Sequence, residues 1–369
     1  MRYIYFDNAA TTRQSDEVTA EIDRCATQNF YNSAALYGPS LEVKNQIERA
    51  RDVIRHRLTK TGEGELVFTS GATESNNMVI FGKINSIRQH ILLLEGEHAS
   101  AYQPVKNLKD SGYCVDMIPL LKNGRADLDA LACLLDSETA LVVFGFVNSD
   151  TGTIQDAKSI VRTVRSIAPR AHIHCDATQA FCKIPFDVTA LGIDSMSVSA
   201  HKIHGPKGIG ALWLRKGVNL HPIMIGGGQQ PLRPGTENNP AIMGFAKAAE
   251  LFDTNASFMR VSELHEHLVR NLPAGCAVNG INNNPYITNI GLPNILGQTV
   301  MNALSEIGIL VGLGSACSSR AQSNRTLLAM GLPEQKTKQV LRISFCASNT
   351  IEEVDIFLNK LKQLLIDLK

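Results

Sequence analysis

The sequence predicts an α/β fold in which helices cover a mainly parallel sheet. Short apolar runs of strand length alternate with amphipathic helical patterns along most of the chain, as in parallel strands joined by helices. The chain has 369 residues, more than a single compact core usually holds. From about residue 257 the pattern changes to helix, strand, helix and strand, which predicts a second, smaller domain there.

The first predicted elements are two helices, over residues 16–29 and 40–58, whose apolar side chains recur at helical spacing. Apolar runs then follow as predicted strands, mostly separated by helical patterns such as residues 157–167. These runs cover residues 66–68, 91–94, 141–147, 172–175, 196–198 and 210–214.

The carboxyl-terminal part begins with a predicted long helix over residues 240–254. The last helix is predicted over residues 350–369, where Thr350 and Glu353 form a capping box ahead of apolar residues at helical spacing. We expect this last helix to be structural.

Composition describes a globular protein of nearly balanced charge. Apolar residues make up 44% and charged residues 19%, and the formal net charge is +1. This balance gives no general attraction to nucleic acid or to a membrane surface. The amino terminus lacks a charged-then-apolar leader, and no stretch approaches the roughly 20 apolar residues of a membrane helix. We therefore expect a cytoplasmic protein that contacts neither nucleic acid nor a membrane directly.

The eight cysteines are scattered, with no C-x-x-C pair and no Cys/His cluster at zinc spacing. They are predicted to be free thiols, most of them buried, as expected for Cys133 within the apolar segment 131–135. Cys317 has a different setting, because small residues precede it and hydroxyls and Arg320 follow it. Such a segment is predicted to leave its thiol unburied.

Two polar residues at strand ends carry the strongest chemical signal. Lys202 and Asp176 each follow an apolar strand. A lysine amine condenses with the aldehyde of pyridoxal phosphate, and a carboxylate beneath the ring keeps the pyridine nitrogen protonated, so the ring becomes an electron sink. Taken alone, Lys202 also fits a solvated strand end and Asp176 a helix cap. Further polar residues at the same sheet edge are Glu97, His98 and Asn148.

A small-residue turn over residues 69–77 joins the strand 66–68 to a helix. Gly71 lets the backbone approach a ligand closely, and the first helical turn offers free N–H groups, helped by the Thr73 hydroxyl. The turn therefore suits a phosphate. An ordinary strand-to-helix turn with a threonine cap has the same local pattern.

These motifs occur in a fixed order: YFDNAATT at residues 5–12, TSGATESNN at 69–77, EH at 97–98, Asn148, HCDATQ at 174–179, SAHK at 199–202, GPKG at 205–208, RPGTEN at 233–238 and GSAC at 314–317. In this order they resemble the cysteine desulfurases of the NifS/IscS type, from residue 5 to about residue 355. The resemblance implies the fold of the PLP-dependent transferases, which is aspartate aminotransferase-like with a seven-stranded sheet. It further implies a large domain over residues 13–255, a small domain from residues 1–12 with 256–369, and a homodimer.

The resemblance also assigns a role to each candidate site residue. Lys202 would hold pyridoxal phosphate, Asp176 would face its pyridinium nitrogen, and His98 would lie over the ring. The other cofactor contacts would come from Gln179 and Asn148 near the ring oxygen, from Ala72, Thr73, Ser199 and His201 around the phosphate, and from the partner subunit's Thr236. The substrate would be bound by Asn8, Asn148 and Arg342, whose guanidinium suits a carboxylate. Outside this joint pattern, His98 fits a core or surface histidine and Arg342 a surface strand arginine.

Cys317 decides the reaction that the resemblance implies, with Lys202 and His98 as the other catalytic residues. A deprotonated Cys317 would attack the sulfur of a bound L-cysteine, leaving L-alanine and a persulfide on Cys317. Arg320 would favour the thiolate. A sulfur-acceptor protein would then take the sulfur from Cys317.

Two other classes of protein fit part of the pattern. An aminotransferase or selenocysteine lyase of the same fold would leave Cys317 idle, and a cofactor-binding regulator or scaffold would be catalytically silent. The chain also departs from the family pattern at residues 32–35, at residues 321–325 and at Cys346, where glycine is usual. The acceptor therefore stays open among iron–sulfur cluster assembly, transfer RNA thiolation and other thiocofactor routes.

Overall fold

The computed structural model describes residues 3–84, 89–228, 230–281, 283–314 and 323–368, which form three sheets and the helices packed on them. The strands are β1 Ile4–Phe6, β2 Glu65–Thr69, β3 His90–Leu94, β4 Cys114–Ile118, β5 Thr139–Gly145, β6 His172–Asp176, β7 Ser195–Ser199, β8 Gly210–Leu214, β9 Ala277–Asn279, β10 Ile287–Gly291, β11 Ile309–Val311 and β12 Val340–Ser344. The helices are α1 Asp16–Gln28, α2 Gly38–Leu58, α3 Ala72–Gly82, α4 Ala99–Asp110, α5 Leu128–Leu134, α6 Ala157–Ile167, α7 Val188–Leu191, α8 Asn239–Leu251, α9 Thr254–Arg270, α10 Gly297–Glu306, α11 Arg325–Ala329, α12 Glu334–Thr337 and α13 Ile351–Asp367.

The largest sheet has seven strands in the order β2-β8-β7-β6-β5-β3-β4. Strand β8 is antiparallel to both of its neighbours, and the other neighbouring strands pair in parallel. The short connection between β7 and β8 explains the reversal, because a parallel crossover needs a dozen or more residues. Every residue of β3, β5, β6 and β7 is buried, which accounts for the apolar or small residues of β5 and β7 and of β3 after His90. Strand β6 also buries His172 and His174, whose rings both lie within hydrogen-bond distance of the Ser195 hydroxyl. The prediction of a mainly parallel α/β sheet is confirmed.

The two smaller sheets join the beginning of the chain to its end. Strand β1 pairs in parallel with β11, and Asp7 continues the contact through a bridge to Ser344 of β12. Strands β12, β10 and β9 form an antiparallel sheet. Phe6 packs edge-on against Phe345 and Phe357, which places the first residues in the same core as α13.

One predicted helix is wrong in its extent. The segment 240–254 is not continuous, because α8 ends at Leu251 and α9 begins at Thr254. The Asp253 side chain accepts a hydrogen bond from Ala256 N at 3.0 Å and so caps a new helix. The predicted capping box of the last helix is present, with Glu353 N donating to Thr350 Oγ1 at 3.2 Å and Thr350 N to Glu353 Oε2 at 3.2 Å.

The cysteines divide by burial. Cys25, Cys175 and Cys182 are buried, whereas Cys133 is exposed, so its predicted burial is wrong. In α5 Leu131 faces the core, and a residue two positions later points to a different side of a helix. Within the described part of the chain, no helix is long and apolar enough to span a membrane.

Candidate active site

A cavity of about 490 Å³ opens at the carboxyl ends of β5, β6 and β7. Gly145, Asp176 and Ser199, the last residues of these strands, lie in its wall. This is the sheet edge at which α/β folds hold ligands. The predicted site residues in the wall are Ala72, Thr73, His98, Asn148, Asp176, Gln179, Ser199, His201, Lys202 and Arg342.

Lys202 ends a short 3₁₀ turn after β7, and this turn places it in the cavity wall. Its Nζ donates to the carbonyl oxygens of Ala9 at 2.5 Å and Ala10 at 2.7 Å. Burial lowers the pKa of the Lys202 amine to about 7, and repulsion from Lys183 and Arg342 acts in the same direction. A large share of Lys202 is therefore neutral near pH 7, and the neutral amine is the form that attacks an aldehyde.

The Asp176 carboxylate, 9% exposed, is fixed through both of its oxygens. Asn76 Nδ2 donates to Oδ2 at 2.8 Å, and Thr178 N donates to Oδ1 at 2.9 Å. Asn76 is itself held by the His174 ring, with 2.9 Å between His174 Nε2 and Asn76 Oδ1. These hydrogen bonds fix the orientation of the Asp176 carboxylate in the cavity wall.

His98 has a defined tautomer. Ser100 N donates to His98 Nδ1 at 3.1 Å, so Nδ1 is an acceptor and the proton of the neutral ring lies on Nε2. Burial lowers the pKa of His98, which favours this neutral form. The Ser100 hydroxyl, 2.9 Å from His98 Nδ1, also accepts from Asn76 Nδ2 at 2.8 Å. The same amide therefore orients both His98 and the Asp176 carboxylate.

The turn before α3 forms another part of the cavity wall. Gly71, at φ 153°, precedes the helix and offers no side chain as a cap. The first helical hydrogen bond runs from Ser75 N to Gly71 O at 3.2 Å, which leaves the earlier N–H groups outside the helical ladder. These N–H groups and the positive end of the helix dipole suit a phosphate. The neighbouring His201 has its pKa lowered to about 4 by burial, so its ring is neutral.

Arg342, on β12, is a buried arginine with 1% exposure, which excludes the surface strand alternative. Nη2 donates to Asp7 Oδ1 at 2.7 Å and Nη1 to Ser149 O at 3.0 Å, while Nε has no hydrogen-bond partner. Gly312 lies across the bridge from Arg342, and a Cβ there would come within 2.7 Å of Asp7 Oδ1. A buried guanidinium with a spare donor in a cavity wall suits a carboxylate ligand.

Two predicted site residues of the described part of the chain, Asn8 and Thr236, are not among the residues of the cavity wall, and a third lies where the chain is not described. The Asn8 side chain is buried and donates to Ser344 O at 2.9 Å, which ties the first residues to strand β12; its contact with the substrate stays a prediction. Thr236 is exposed, and its predicted contact is with a second copy of the chain. Cys317 lies outside the described residues, and so does Arg320.

Several residues that position the site are not among the residues predicted from the sequence. Asn76 and Ser100 carry the network between His98 and Asp176, and Asp7 is the counterion of Arg342. Asn76 and Asp7 stand inside the quoted motifs, which is the signal that could have found them. Ser100 lies two residues after His98 and gave no separate signal.

Comparison with known proteins identifies the family. The model of the family Aminotransferase class-V matches residues 4–357. The chain is similar to cysteine desulfurase IscS 1 of Archaeoglobus fulgidus, with 36% identity over 97% of this chain and 95% of that protein. It is also similar to the structure of a NifS-like protein, with a TM-score of 0.92, 34% identity and coverage of 99% of this chain and 100% of the other. The chain belongs to the cysteine desulfurases of the class-V aminotransferase family.

A third comparison gives the same fold for this desulfurase. The structure titled SspA in complex with cysteine has a TM-score of 0.82 and 29% identity, and the match covers 94% of this chain and 100% of that one. Members of the family depend on pyridoxal phosphate, so the desulfurase is a pyridoxal phosphate enzyme.

The residues of the cavity fit this cofactor. Lys202 supplies the amine for the aldehyde, Asp176 a fixed carboxylate for the ring nitrogen, and the start of α3 the N–H groups for the phosphate. Thr178 Oγ1 is buried in the cavity wall without a hydrogen-bond partner, so the wall has polar capacity left for a ligand. When bound, the cofactor supplies an electron sink that stabilises negative charge on the substrate α-carbon.

Glu97 is a second carboxyl group at this end of the desulfurase cavity. Its Oε1 accepts from Gly145 N at 2.7 Å. Burial raises the pKa of Glu97 to about 8, and the nearby negative charge of Asp176 acts in the same direction. Glu97 is therefore mostly protonated near pH 7, which leaves the negative charge beside the ring site with Asp176.

Proposed function

We propose that this cavity converts L-cysteine to L-alanine and passes the sulfur atom to Cys317. The observation that carries the proposal is that Lys202, Asp176 and Arg342 line one cavity. Lys202 and Asp176 are the amine and carboxylate that pyridoxal phosphate needs, and Arg342 offers a buried cation to the α-carboxylate of an amino acid. A substrate held at both ends has its α-carbon in a fixed position, which favours reaction.

The proton transfers in this proposal are assigned to Lys202 and His98. Near pH 7 a large share of the Lys202 amine is neutral, because burial lowers its pKa to about 7, so it can take a proton from the substrate and return one. Neutral His98 carries its proton on Nε2, so that atom can donate. Asn148 and Gln179 contribute polar groups to the same wall.

Cys317 is proposed to be the sulfur acceptor of the chain. Its thiolate attacks the substrate sulfur, an S–S bond forms, and the Cβ–S bond breaks. The electron pair of the broken bond stays with Cβ, which takes up a proton to become the methyl group of L-alanine. The product on the protein is a Cys317 persulfide, so the reaction at this stage needs no external oxidant or reductant.

Cys175 is the rival candidate for the sulfur acceptor, and its surroundings disfavour that role. Cys175 adjoins Asp176, but it is fully buried on β6, and burial raises the pKa of its thiol well above the usual value. A thiol in that state is a poor nucleophile.

The decisive experiment uses Cys317→Ser with Cys133→Ser as its matched control, since Cys133 is an exposed cysteine on α5. Wild type and Cys133→Ser should yield equal amounts of alanine and sulfide with reductant, and one added sulfur on Cys317 by mass spectrometry without it. Cys317→Ser should still change the cofactor spectrum on addition of cysteine, yet release no sulfide. Sulfide release by Cys317→Ser, or a persulfide on Cys175, would contradict the proposed acceptor and leave the cofactor site intact.

The remaining parts of the proposal concern organisation. We propose a homodimer in which Thr236 reaches the phosphate site of the partner, and a cytoplasmic location. The division into residues 13–255 and residues 1–12 with 256–369 is supported by the pairing of β1 with β11. A separate sulfur-acceptor protein takes the atom from Cys317, and a pull-down with the persulfide form of the enzyme tests for it.

A further inference from the structure

At the opposite end of the central sheet, the fold brings together three side chains that are typical metal ligands. They are His90, Cys114 and Asp116, and one ligand atom of each lies within 4.8 Å of the others. His90 begins β3 and Cys114 begins β4, and the two residues are partners in the parallel register. Asp116 lies two residues along β4, so it shares a face of the sheet with Cys114.

We propose that His90, Cys114 and Asp116 bind a divalent cation of the zinc type, with water completing the coordination. A ligand set of one imidazole, one thiolate and one carboxylate binds zinc in preference to magnesium or calcium. This site is separate from the cavity, because it lies at the amino ends of β3 and β4, whereas the cavity opens at the carboxyl ends of β5, β6 and β7, which run parallel to them.

The distance between two of the ligand atoms is close to the value that a bound ion requires, and the Cys114 sulfur lies within 4.8 Å of both. His90 Nε2 lies 3.2 Å from Asp116 Oδ2. Zinc bonds of about 2.0–2.3 Å at tetrahedral angles place the ligand atoms about 3.3–3.6 Å apart. Cys114 and Asp116 are on the surface, and their side chains can adjust to meet the ion.

The second nitrogen of His90 already has the partners that a metal-binding histidine needs. His90 Nδ1 lies 3.3 Å from Asp136 Oδ1 and 3.3 Å from Thr139 Oγ1. A carboxylate on the far nitrogen fixes the tautomer that turns the Nε2 lone pair towards the metal. The His90 side chain is 6% exposed, so its ring is held in this position.

Binding of the metal ion at this site releases one proton, from the Cys114 thiol. The Cys114 S–H bond breaks, its proton goes to solvent, and the thiolate binds the ion; His90 binds as the neutral ring, with its proton on Nδ1. The ion would join β3 to β4, the last strand of the sheet, and would stabilise that edge.

The test compares variants in a Cys317→Ser background, because a reactive thiol at position 317 would bind added zinc as well and would obscure binding at the proposed site. The full-length holoenzyme is equilibrated with Zn²⁺ and analysed for bound metal, and then titrated with Co²⁺ while the visible bands of four-coordinate cobalt are followed. The parent and the exposed-cysteine control Cys133→Ser should each bind one ion per chain at this site. Cys114→Ser and Asp116→Asn should bind at least about tenfold more weakly, and Asp136→Asn about 10–100-fold more weakly.

Thermal unfolding provides a second measurement. Zn²⁺ should raise the melting temperature of the parent and of Cys133→Ser but not that of Cys114→Ser. If Cys114→Ser and Cys133→Ser bind zinc equally, or if the parent binds none at micromolar zinc, the proposal is wrong. His90 would then be held only by its carboxylate and hydroxyl neighbours. Neither outcome depends on turnover, so the proposed function is tested separately.

Discussion

At the scale of single residues, Lys202 shows how burial creates a reactive group. Its amine is buried, and burial lowers its pKa to about 7. Repulsion from the positive charges of Lys183 and Arg342 acts in the same direction. A lysine on a solvated strand end would remain protonated at neutral pH, and a protonated amine does not attack an aldehyde.

This pKa leads to a prediction for the apoenzyme. The rate of capture of pyridoxal phosphate should rise with pH through about 7 and level off above it, because the neutral fraction of Lys202 saturates there. The measurement is the rate at which the visible absorption of the bound cofactor appears, taken at pH values from about 5.5 to about 10. Lys202→Ala should not develop that absorption and should lose at least about 10³-fold in turnover.

The variant Lys183→Met provides the control for the electrostatic contribution. Removing this buried charge should move the midpoint of the capture profile to higher pH, because Lys183 lowers the pKa of Lys202. A wild-type rate that keeps rising up to about pH 10, the ordinary range of lysine, would contradict the lowered pKa.

Arg342 gives the second prediction at this scale. Arg342→Lys should raise the KM for L-cysteine about 10–100-fold with a smaller effect on kcat, because a bidentate contact to the substrate carboxylate is lost while the charge beside Asp7 is kept. The matched control is Arg215→Lys, because Arg215 also pairs with a carboxylate, Asp194, and neither residue belongs to the cavity wall. Steady-state kinetics on folded protein separate KM from kcat, and an unchanged KM in Arg342→Lys would refute the assignment.

At the scale of elements, the shape of the turn before α3, which is proposed to hold the cofactor phosphate, depends on how closely β8 approaches it. A Cβ on Gly210 would lie 2.7 Å from Gly71 Cα and 2.6 Å from Val198 O, and neither backbone atom can move freely. The first residue of β8 therefore has to be glycine if the turn before α3 is to keep its shape.

Gly210→Ala should weaken binding of pyridoxal phosphate at least about tenfold and lower the melting temperature, as a core clash of about 1–3 kcal/mol would. Gly38→Ala is the matched control, because a Cβ at this first residue of α2 meets nothing within 4 Å. Cofactor titration and thermal unfolding of the two variants provide the comparison. Wild-type cofactor affinity in Gly210→Ala would show that the turn does not need this close approach.

At the scale of the whole molecule, the proposed homodimer can be tested by complementation. In a mixed dimer of Lys202→Ala and Thr236→Ala chains, one site would carry both changes and the other none, if Thr236 serves the partner's site. Mixing and reassociating the two inactive or weakened homodimers should therefore restore about half of the wild-type activity in each mixed dimer. If Thr236 served its own chain, no intact site would form and activity would not recover.

Much of the fold and of the site chemistry was determined by the sequence alone. Strands buried on both faces are mostly apolar or small, so β5, β7 and the apolar part of β3 could be found from their composition. Asp176 and Lys202 could be found because Asp176 ends one buried strand, β6, and Lys202 comes shortly after another, β7, and parallel strands end at a common edge.

Only the tertiary structure decided how these groups are held. The contact of Arg342 with Asp7, the bridge from Asn76 to Asp176 and the pairing of His90 with Cys114 all join segments far apart in the chain. Their geometry follows from strand register and from which face each residue presents, and the same packing exposed Cys133. Local sequence specifies residue chemistry, whereas burial and partners arise from packing, and these set the protonation states on which the site depends.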